Sequence, residues 1–300
     1  MKTIKTSKIK EITKRLLVEA SFFLPKDIIE ALGKARKTED NSLARYMLDL
    51  ILENADIASS EKLPLCQDCG TVYIDIDVGR DICIYPDIKK ADKKAKSRDK
   101  SPEDHKSLTS VLNDAVKDVY INYYLRKSIV CDPLFARINT ATNTPAIIDI
   151  EYPDSTGLDI EVNLKGGGSE NCSWLFMLNP SNTAGDIIRI VTGLVIKNVT
   201  KACPPVIIGI GLGSGASGAT KLARKAAFRN LDIRNNNQEY ANLESIILKK
   251  ANDSGIGPSG VGGRTTALAC NIETAPCHMA TLPMAVYFGC HSTRRKNIHI

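Results

Sequence analysis

The sequence predicts an α+β protein, with a helical N-terminal region followed by a mixed or antiparallel sheet on which helices pack. Apolar residues recur at helical spacing near the N-terminus, for example at Ile9, Ile12 and Leu16. In Val72–Val78 they alternate with polar residues, which is the pattern of a half-buried strand. Helical and strand patterns are interspersed after that, and no linker-like segment separates them. We therefore expect residues 1–300 to form a single large domain.

The helical patterns begin with a segment from Ile9 to Phe23, which Pro25 should stop because proline cannot continue a helix. Asp40 is a suitable N-cap for a second helix that reaches Ile51. Four further helices are predicted downstream, at Leu108–Val119, Thr183–Thr200, Ala219–Arg229 and Tyr240–Ala251.

Two of the predicted strands lie close together in the sequence. Ala146–Tyr152 and Leu158–Leu164 are separated by Pro153–Gly157, whose residues favour a tight turn. The two strands are therefore predicted to form a hairpin. The remaining strands are expected at Pro205–Ile210, Thr266–Glu273 and Met284–Gly289.

The composition excludes several classes of protein. Of the 300 residues, 43% are apolar and 25% are charged, which is typical of a globular chain and not of a collagen, a disordered chain or a membrane bundle. The formal net charge is +6, and segment 89–106 alone carries +4, from eight Lys or Arg against four Asp or Glu. We interpret 89–106 as an exposed basic loop, a solvated insertion rather than a site for an acidic partner. Because the rest of the chain is nearly neutral, we do not expect it to bind nucleic acid.

Neither a membrane segment nor a targeting segment is recognisable in the sequence. Apolar runs such as Val206–Ile210 are far shorter than the roughly 20 residues that span a bilayer. Charged residues, among them Glu11 and Lys14, interrupt any apolar core of a signal peptide. We therefore expect a cytoplasmic protein without membrane contact. Reducing compartments do not retain structural disulfides, so those of its nine cysteines that are not simply buried point to metal binding or catalysis.

A glycine-rich segment offers one functional interpretation. Gly213–Gly218 matches GxGxxG after a predicted strand and before a predicted helix, as a dinucleotide fingerprint requires. That fingerprint also needs a second strand ending in an acid, and Leu231–Glu239 has no apolar strand pattern. A nucleotide-binding enzyme therefore stays an alternative. The same glycines suit a tight turn that presents backbone amides to a substrate carboxylate.

The cysteines offer a second interpretation. Cys66 and Cys69 form a CxxC, which suggests a zinc or redox site. A zinc site would need a second pair, and Cys270 and Cys277, with His278 adjacent, are the candidates. A zinc-binding or redox-cysteine protein therefore stays open as an alternative from a different class.

Longer motifs carry a resemblance to a known family. They are, in chain order, Pro64–Gly70 (PLCQDCG), Lys165–Asn171 (KGGGSEN), Cys203-Pro204-Pro205, Gly255–Ala267 (GIGPSGVGGRTTA), Glu273–His278 (ETAPCH) and Cys290–Arg294 (CHSTR). With them the chain closely resembles the alpha subunit, or N-terminal half, of class I fumarate hydratases and L-tartrate dehydratases. The resemblance extends from about residue 5 to the C-terminus. Cys69, Cys172 and the basic stretch 89–106 depart from the family pattern, and no role follows for them.

The resemblance implies an iron–sulfur hydro-lyase, for which the expected reaction is the reversible hydration of fumarate to (S)-malate. The alternative is dehydration of L-tartrate to oxaloacetate. Family members hold a 4Fe–4S cluster by three cysteines, which leaves one iron open to act as a Lewis acid on a substrate hydroxyl. The matching cysteines are Cys66, Cys203 and Cys290. The positions that match around the dicarboxylate substrate are Gln67, Asp68, Arg126, Gly167 and His278.

Two of these positions are implied to move protons, namely Asp68 and His278. From the residue types alone, Arg126 suits bidentate carboxylate binding, and an ordinary surface arginine is the other interpretation. The resemblance also implies a partner, because single-chain relatives carry a second, C-terminal domain that this chain lacks. We expect a separate beta subunit to supply it, in an α2β2 heterotetramer.

Overall fold

The protein is described from a computed structural model, which covers residues 1–86 and 106–300. The predicted basic loop 89–106 lies outside these residues, apart from Lys106. The chain divides into two compact units, of which the first comprises Met1–Ser21, Gln67–Leu164 and Arg295–Ile300, and the second Phe22–Cys66 and Lys165–Arg294.

The described helices are α1 (Thr6–Phe22), α2 (Lys26–Thr38), α3 (Ser42–Glu61), α4 (Leu108–Asn122), α5 (Gly167–Glu170), α6 (Ala184–Asn198), α7 (Ala216–Phe228) and α8 (Gln238–Asn252). The described strands are β1 (Lys2–Lys5), β2 (Thr71–Val78), β3 (Ile82–Tyr85), β4 (Ile147–Glu151), β5 (Leu158–Lys165), β6 (Ser173–Leu178), β7 (Val206–Ser214), β8 (Ala267–Cys277), β9 (Leu282–Gly289) and β10 (Arg294–His299). Helices and mixed sheets together confirm the predicted α+β class. That residues 1–300 act as one catalytic domain stays a prediction.

The helices near the N-terminus differ from the prediction in two details. The N-cap of α3 is Asn41 and not Asp40, because the Asn41 side chain accepts hydrogen bonds from the N–H groups of Leu43 and Ala44, at 2.9 and 3.1 Å. Helix α2 was not predicted. Pro25 ends the first helix as expected and also precedes the next one, since its carbonyl oxygen accepts the Ile28 N–H at 3.1 Å.

The larger sheet of the first unit shows that the predicted hairpin is wrong. The strand order is β10-β5-β2-β4, so β2 lies between β4 and β5. β4 pairs with β2 in parallel, with Tyr73 opposite Ile147. Pro153–Gly157 is therefore a connection that crosses β2 and not a hairpin turn. β1 and β3 form a separate parallel pair.

The sheet of the second unit has the order β6-β9-β7-β8, with β7 parallel to β8 and antiparallel to β9. Residues of α6 and α8 share one buried core with β7, including Val191, Ile247 and Ile208. Helix α7 lies close to β7, because a Cβ at Gly209 would be 2.2 Å from the Ala223 carbonyl oxygen. Strand β7 is therefore enclosed over almost its whole length, and only its two ends are available for a site.

None of the helices in the described parts of the chain combines the length and the apolar character needed to cross a membrane.

Candidate active site

Two of the predicted cluster cysteines meet at the N-terminal end of β7. Cys203 precedes this strand, and Cys290 directly follows Gly289, which pairs with Ile207. The backbone N–H of His291 donates to the Cys203 carbonyl oxygen at 3.3 Å, and the His291 ring Nδ1 lies 3.0 Å from the same oxygen. The two cysteine segments are thus joined directly.

Cys66 is brought to the same end of β7 by its neighbour Leu65. Leu65 is buried in the core that also contains Ile207, and its carbonyl oxygen accepts a hydrogen bond from the Asn54 side chain at 3.0 Å. Burial raises the pKa of the Cys203 thiol, and the proximity of Cys66 raises it further. The structure therefore brings together all three cysteines that the motifs single out.

Cys290 is half-buried. Burial raises its pKa to about 11, against the lowering effects of Arg294 and of a hydrogen bond from the Ser292 N–H. The proximity of Cys66 and Cys203 also raises it. A group that binds Cys203 and Cys290 as thiolates must therefore displace protons from these two sulfurs.

The alternative zinc site fails on geometry. Cys270 and Cys277 lie seven residues apart on the single strand β8, about 23 Å at 3.3 Å per residue, so they are not a pair. In residues 1–86 and 106–300, no group of three or more His, Cys, Asp or Glu side chains is arranged to hold a metal ion. A single ion requires ligands about 2.0–2.3 Å from one point, whereas a cluster presents separate irons to separate cysteines. Three cysteines are the number of ligands that a 4Fe–4S cluster with one open iron requires.

Cys69 and Cys172, which had no predicted role, both make structural contacts. The Cys69 sulfur accepts the Arg126 N–H at 3.3 Å, and its carbonyl oxygen accepts the Tyr120 hydroxyl at 2.7 Å. Cys172 is fully buried in the core, and its carbonyl oxygen accepts the Phe288 N–H at 3.1 Å. Each cysteine therefore fixes a segment that carries predicted site residues.

The first unit brings three predicted substrate-binding residues near one another. Gln67 and Asp68 directly precede Cys69, whose sulfur holds the backbone of Arg126. Asp68 Oδ1 accepts the Gly70 N–H at 2.9 Å. Gln67 and Arg126 are exposed, and Asp68 is half-buried. Since Asp68 follows Cys66 by two residues, their Cα atoms are separated by no more than about 7 Å.

Gly167 begins the short helix α5 in the second unit. The α5 turn packs against the segment before Cys203, because a Cβ at Gly168 would lie 3.0 Å from the Lys201 carbonyl oxygen. The hydrogen bond between Cys172 and Phe288 ties the end of the turn to β9, two residues before Cys290. Gly167 therefore lies at the same end of the sheet as the cysteines.

His278 lies at the opposite end of that sheet. Cys277 pairs with Ser214, whereas Gly289 pairs with Ile207, seven residues away along β7, or about 23 Å. The His278 side chain is exposed, and its Nδ1 accepts the Ala280 N–H at 3.1 Å. Within this unit His278 therefore lies away from the cysteines, and its place beside the substrate stays a prediction.

The GxGxxG segment is explained by packing. Gly213 has φ +91°, and a Cβ there would lie 1.9 Å from the Ala275 carbonyl oxygen. At Gly218 a Cβ would lie 2.0 Å from the Ser214 hydroxyl oxygen. These glycines allow β7 to turn into α7, so their presence does not require a nucleotide.

Lys165 belongs to the motif Lys165–Asn171, but the sequence analysis assigned it no role. It ends β5 next to the glycine triplet, and it is only 3% exposed. Burial lowers its pKa to about 8, against the raising effects of Glu170, Cys290 and Cys172. The available signal was its place at the end of the apolar strand pattern Leu158–Leu164, where a solvated side chain is not expected.

Comparison with known proteins agrees with the geometry. The family model described as fumarate hydratase (Fumerase) matches residues 10–299. A Methanocaldococcus jannaschii protein, provisionally named L(+)-tartrate dehydratase subunit alpha, is 35% identical over 293 residues, which cover 96% of each chain. The L(+)-tartrate dehydratase subunit alpha of Escherichia coli K12 is 27% identical over 293 residues, covering 96% of this chain and 89% of the relative. The match over nearly the whole chain shows that this protein belongs to the fumarate hydratase family of hydro-lyases.

Proposed function

We propose that the chain is the alpha subunit of an iron–sulfur hydro-lyase that reversibly hydrates fumarate to (S)-malate. Cys66, Cys203 and Cys290 would hold a 4Fe–4S cluster, and a separate beta subunit would complete the enzyme in an α2β2 assembly. The observation that carries this proposal is the meeting of these three cysteines at one end of β7. The names of the relatives as alpha subunits support the need for a partner.

The surroundings of the cysteines suit a buried anionic group. Arg294 is 2% exposed, and it interacts electrostatically with Cys290. The Ser292 N–H donates a hydrogen bond to the Cys290 sulfur. A buried negative charge is tolerated only where opposite charge and donors compensate for lost hydration. When bound, the cluster supplies a Lewis-acidic iron that makes a substrate hydroxyl a better leaving group.

The chain's own residues bind and orient the dicarboxylate and move a proton. The guanidinium of Arg126 is suited to bind one carboxylate through two parallel hydrogen bonds. The amides of Gln67 and Gly167 add neutral donors, which suit the charge that develops on a carboxylate when the adjacent carbon loses a proton. Asp68 is the proposed proton carrier, since the chain limits its distance from Cys66.

Dehydration of L-tartrate to oxaloacetate is the second candidate. The observation in its favour is that the relatives at 27–35% identity carry tartrate dehydratase names. Both reactions remove water from a hydroxylated dicarboxylate, so the same residues serve either one. The difference lies in how the site accommodates a second hydroxyl.

A substrate panel separates the two candidates. We expect the chain, co-expressed with its beta subunit and assayed without oxygen, to turn over fumarate and (S)-malate with kcat/KM at least about tenfold above L-tartrate. The same complex with Cys203→Ser is the control for background activity. A preference for L-tartrate would replace fumarate by the second candidate, and absence of both activities would contradict the proposed class.

The position of His278 favours a site that two alpha chains share. Its side chain lies about 23 Å along the sheet from the cysteine end, so within its own unit it does not reach the cysteines. It is exposed on the connection between β8 and β9, where another molecule has access. We propose that His278 serves the substrate held by a second copy of the chain.

Mixed oligomers test this arrangement. His278→Ala and Cys290→Ser chains are each expected to be inactive, since each lacks one part of every site. A purified mixed dimer should recover about half of the wild-type activity, because one of its two sites combines intact cysteines with an intact histidine. Mixed dimers as inactive as the parent variants would contradict sharing between copies.

A further inference from the structure

We propose that Lys165 is a positioning residue whose buried ammonium fixes the turn Gly166–Cys172 against β9. The backbone of this turn includes the amide of Gly167. The contacts of Lys165 with the turn and with β9 support the fixed turn. That the turn serves the substrate rests on the proposed function, in which Gly167 binds a carboxylate.

The Lys165 ammonium has three acceptors around it. Nζ donates to the Ser169 carbonyl oxygen at 3.0 Å and to the Ser173 hydroxyl at 3.4 Å. It forms an ion pair with Glu170 Oε2 at 3.2 Å. A lysine ammonium has three N–H donors, so these contacts match its full capacity. Nζ also lies 3.1 Å from the centroid of the Tyr287 ring, within the range of a cation–π interaction.

The partners of Lys165 are also bound to one another. The Tyr287 hydroxyl donates to Glu170 Oε2 at 2.6 Å. Tyr287 lies directly opposite Ser173 in the pairing of β6 with β9. The ammonium therefore lies within a closed set of contacts that connects the turn, β6 and β9.

The turn itself is too short and too rich in glycine to hold its shape alone. Helix α5 has four residues, and an isolated helix of that length is unstable. Gly166, Gly167 and Gly168 are consecutive, and glycine gains the most backbone freedom on opening. The turn keeps its three hydrogen bonds at 3.0 Å, donated by the N–H groups of Glu170, Asn171 and Cys172.

Burial of an ammonium costs hydration free energy, so a contribution to stability alone does not explain why a lysine occupies this position. The Lys165 side chain is 2% exposed, and a buried lysine loses most of its hydration. Apolar residues of similar volume often pack at such positions with equal stability. An apolar side chain, however, cannot donate hydrogen bonds and so cannot orient the three acceptors around Lys165. Two of these acceptors belong to the turn.

Hydrogen exchange on the full-length chain tests the claim about the turn. In Lys165→Met the amides of Glu170, Asn171 and Cys172 should exchange at least about tenfold faster than in the wild type, because a charge-assisted anchor is lost. Lys249→Met is the matched control, since the Lys249 side chain forms an exposed ion pair with Asp253 at 2.8 Å. Unchanged exchange in Lys165→Met would overturn the proposal.

A second variant keeps the test decisive if Lys165→Met does not fold. Glu170→Gln leaves the ammonium in place and removes the ion pair within a nearly isosteric side chain. It should also speed the exchange of Asn171 and Cys172, by about threefold or more. Wild-type exchange in a folded Glu170→Gln chain would contradict an anchor that acts through this network.

Kinetics of the complex with the beta subunit test the claim about the substrate. Lys165→Met should raise KM for the dicarboxylate about tenfold, with kcat within about threefold of the wild type and iron content unchanged. A merely structural role would lower iron content or yield and leave KM of the loaded fraction unchanged. If the wild-type complex holds no iron, the proposed function fails, and the exchange experiment still decides whether Lys165 fixes the turn.

Discussion

Replacing Cys290 by serine should remove the proposed iron–sulfur cluster and reduce hydro-lyase activity by at least about a thousandfold. Cys290 follows β9 directly, and its segment is hydrogen-bonded to that of Cys203. Serine keeps the size of the side chain but offers no thiolate, which is the ligand that a cluster requires. We expect iron and acid-labile sulfide to fall from about four of each per chain to less than one. Cys66→Ser and Cys203→Ser should behave in the same way.

Two exposed cysteines provide matched controls. Cys131 and Cys277 lie on the surface, so serine at either position should leave iron content and activity within about twofold of the wild type. Cys69→Ala separates the two cysteines of the CxxC. It should loosen the Arg126 backbone, which its sulfur holds at 3.3 Å, without removing the cluster. A Cys69→Ala chain that loses the cluster while Cys66→Ser retains it would contradict the assignment.

Replacing Asp68 by asparagine should lower kcat by about 10²–10⁴-fold while the cluster and substrate binding remain. The reason is that asparagine is not a proton carrier, whereas its side-chain oxygen still accepts a hydrogen bond. The measurement is kcat and KM for fumarate in complexes matched for iron content.

Asp68 also makes a structural contact, so two substitutions are needed to separate a structural role from proton transfer. Its Oδ1 accepts the Gly70 N–H at 2.9 Å, which helps to shape the turn after Cys66. Asp68→Asn can keep that bond, and Asp68→Ala cannot. A structural role alone predicts near-wild-type turnover in Asp68→Asn and cluster loss in Asp68→Ala. Near-wild-type kcat in a fully loaded Asp68→Asn enzyme would end the proposal of proton transfer.

Local patterns in the sequence were sufficient for most helices. Helix α4 buries Val111, Leu112 and Val119, which recur at the predicted spacing. Helix α6 begins at the predicted place because Thr183 and Asp186 form a reciprocal capping box. Such signals depend on residues within one or two turns, so they can be read without knowledge of the fold.

Strand pairing was harder to predict, because it depends on distant residues. Pro153–Gly157 has the composition of a tight turn, yet the strands on either side pair with β2 and not with each other. Strand β10 was missed because its sequence RRKNIH has no clear alternation of apolar residues. Strand β6 lies at a sheet edge and keeps two apolar side chains exposed, Leu175 and Met177, which hides its pattern.

In the candidate site, too, the local motifs could be predicted from the sequence, whereas the long-range contacts could not. The motifs singled out Cys66, Cys203 and Cys290, but only the antiparallel pairing of β7 with β9 shows why the last two meet. That pairing also separates His278 from them, which no spacing in the sequence indicates. Lys165 received no role because a lysine beside three glycines is typical of a solvated loop, and its burial depends on Tyr287, which is distant in the sequence.

If Cys66, Cys203 and Cys290 hold the proposed cluster, one of its irons is open to substrate. The Mössbauer spectrum of the complex with the beta subunit tests this, when the complex is reconstituted with isotopically enriched iron and measured before and after addition of fumarate. We expect the signal of a 4Fe–4S cluster, in which about a quarter of the iron changes its spectrum when substrate is added. A cluster in which no iron changes its Mössbauer signal on addition of fumarate would contradict an open iron. So would a protein without an iron–sulfur signal.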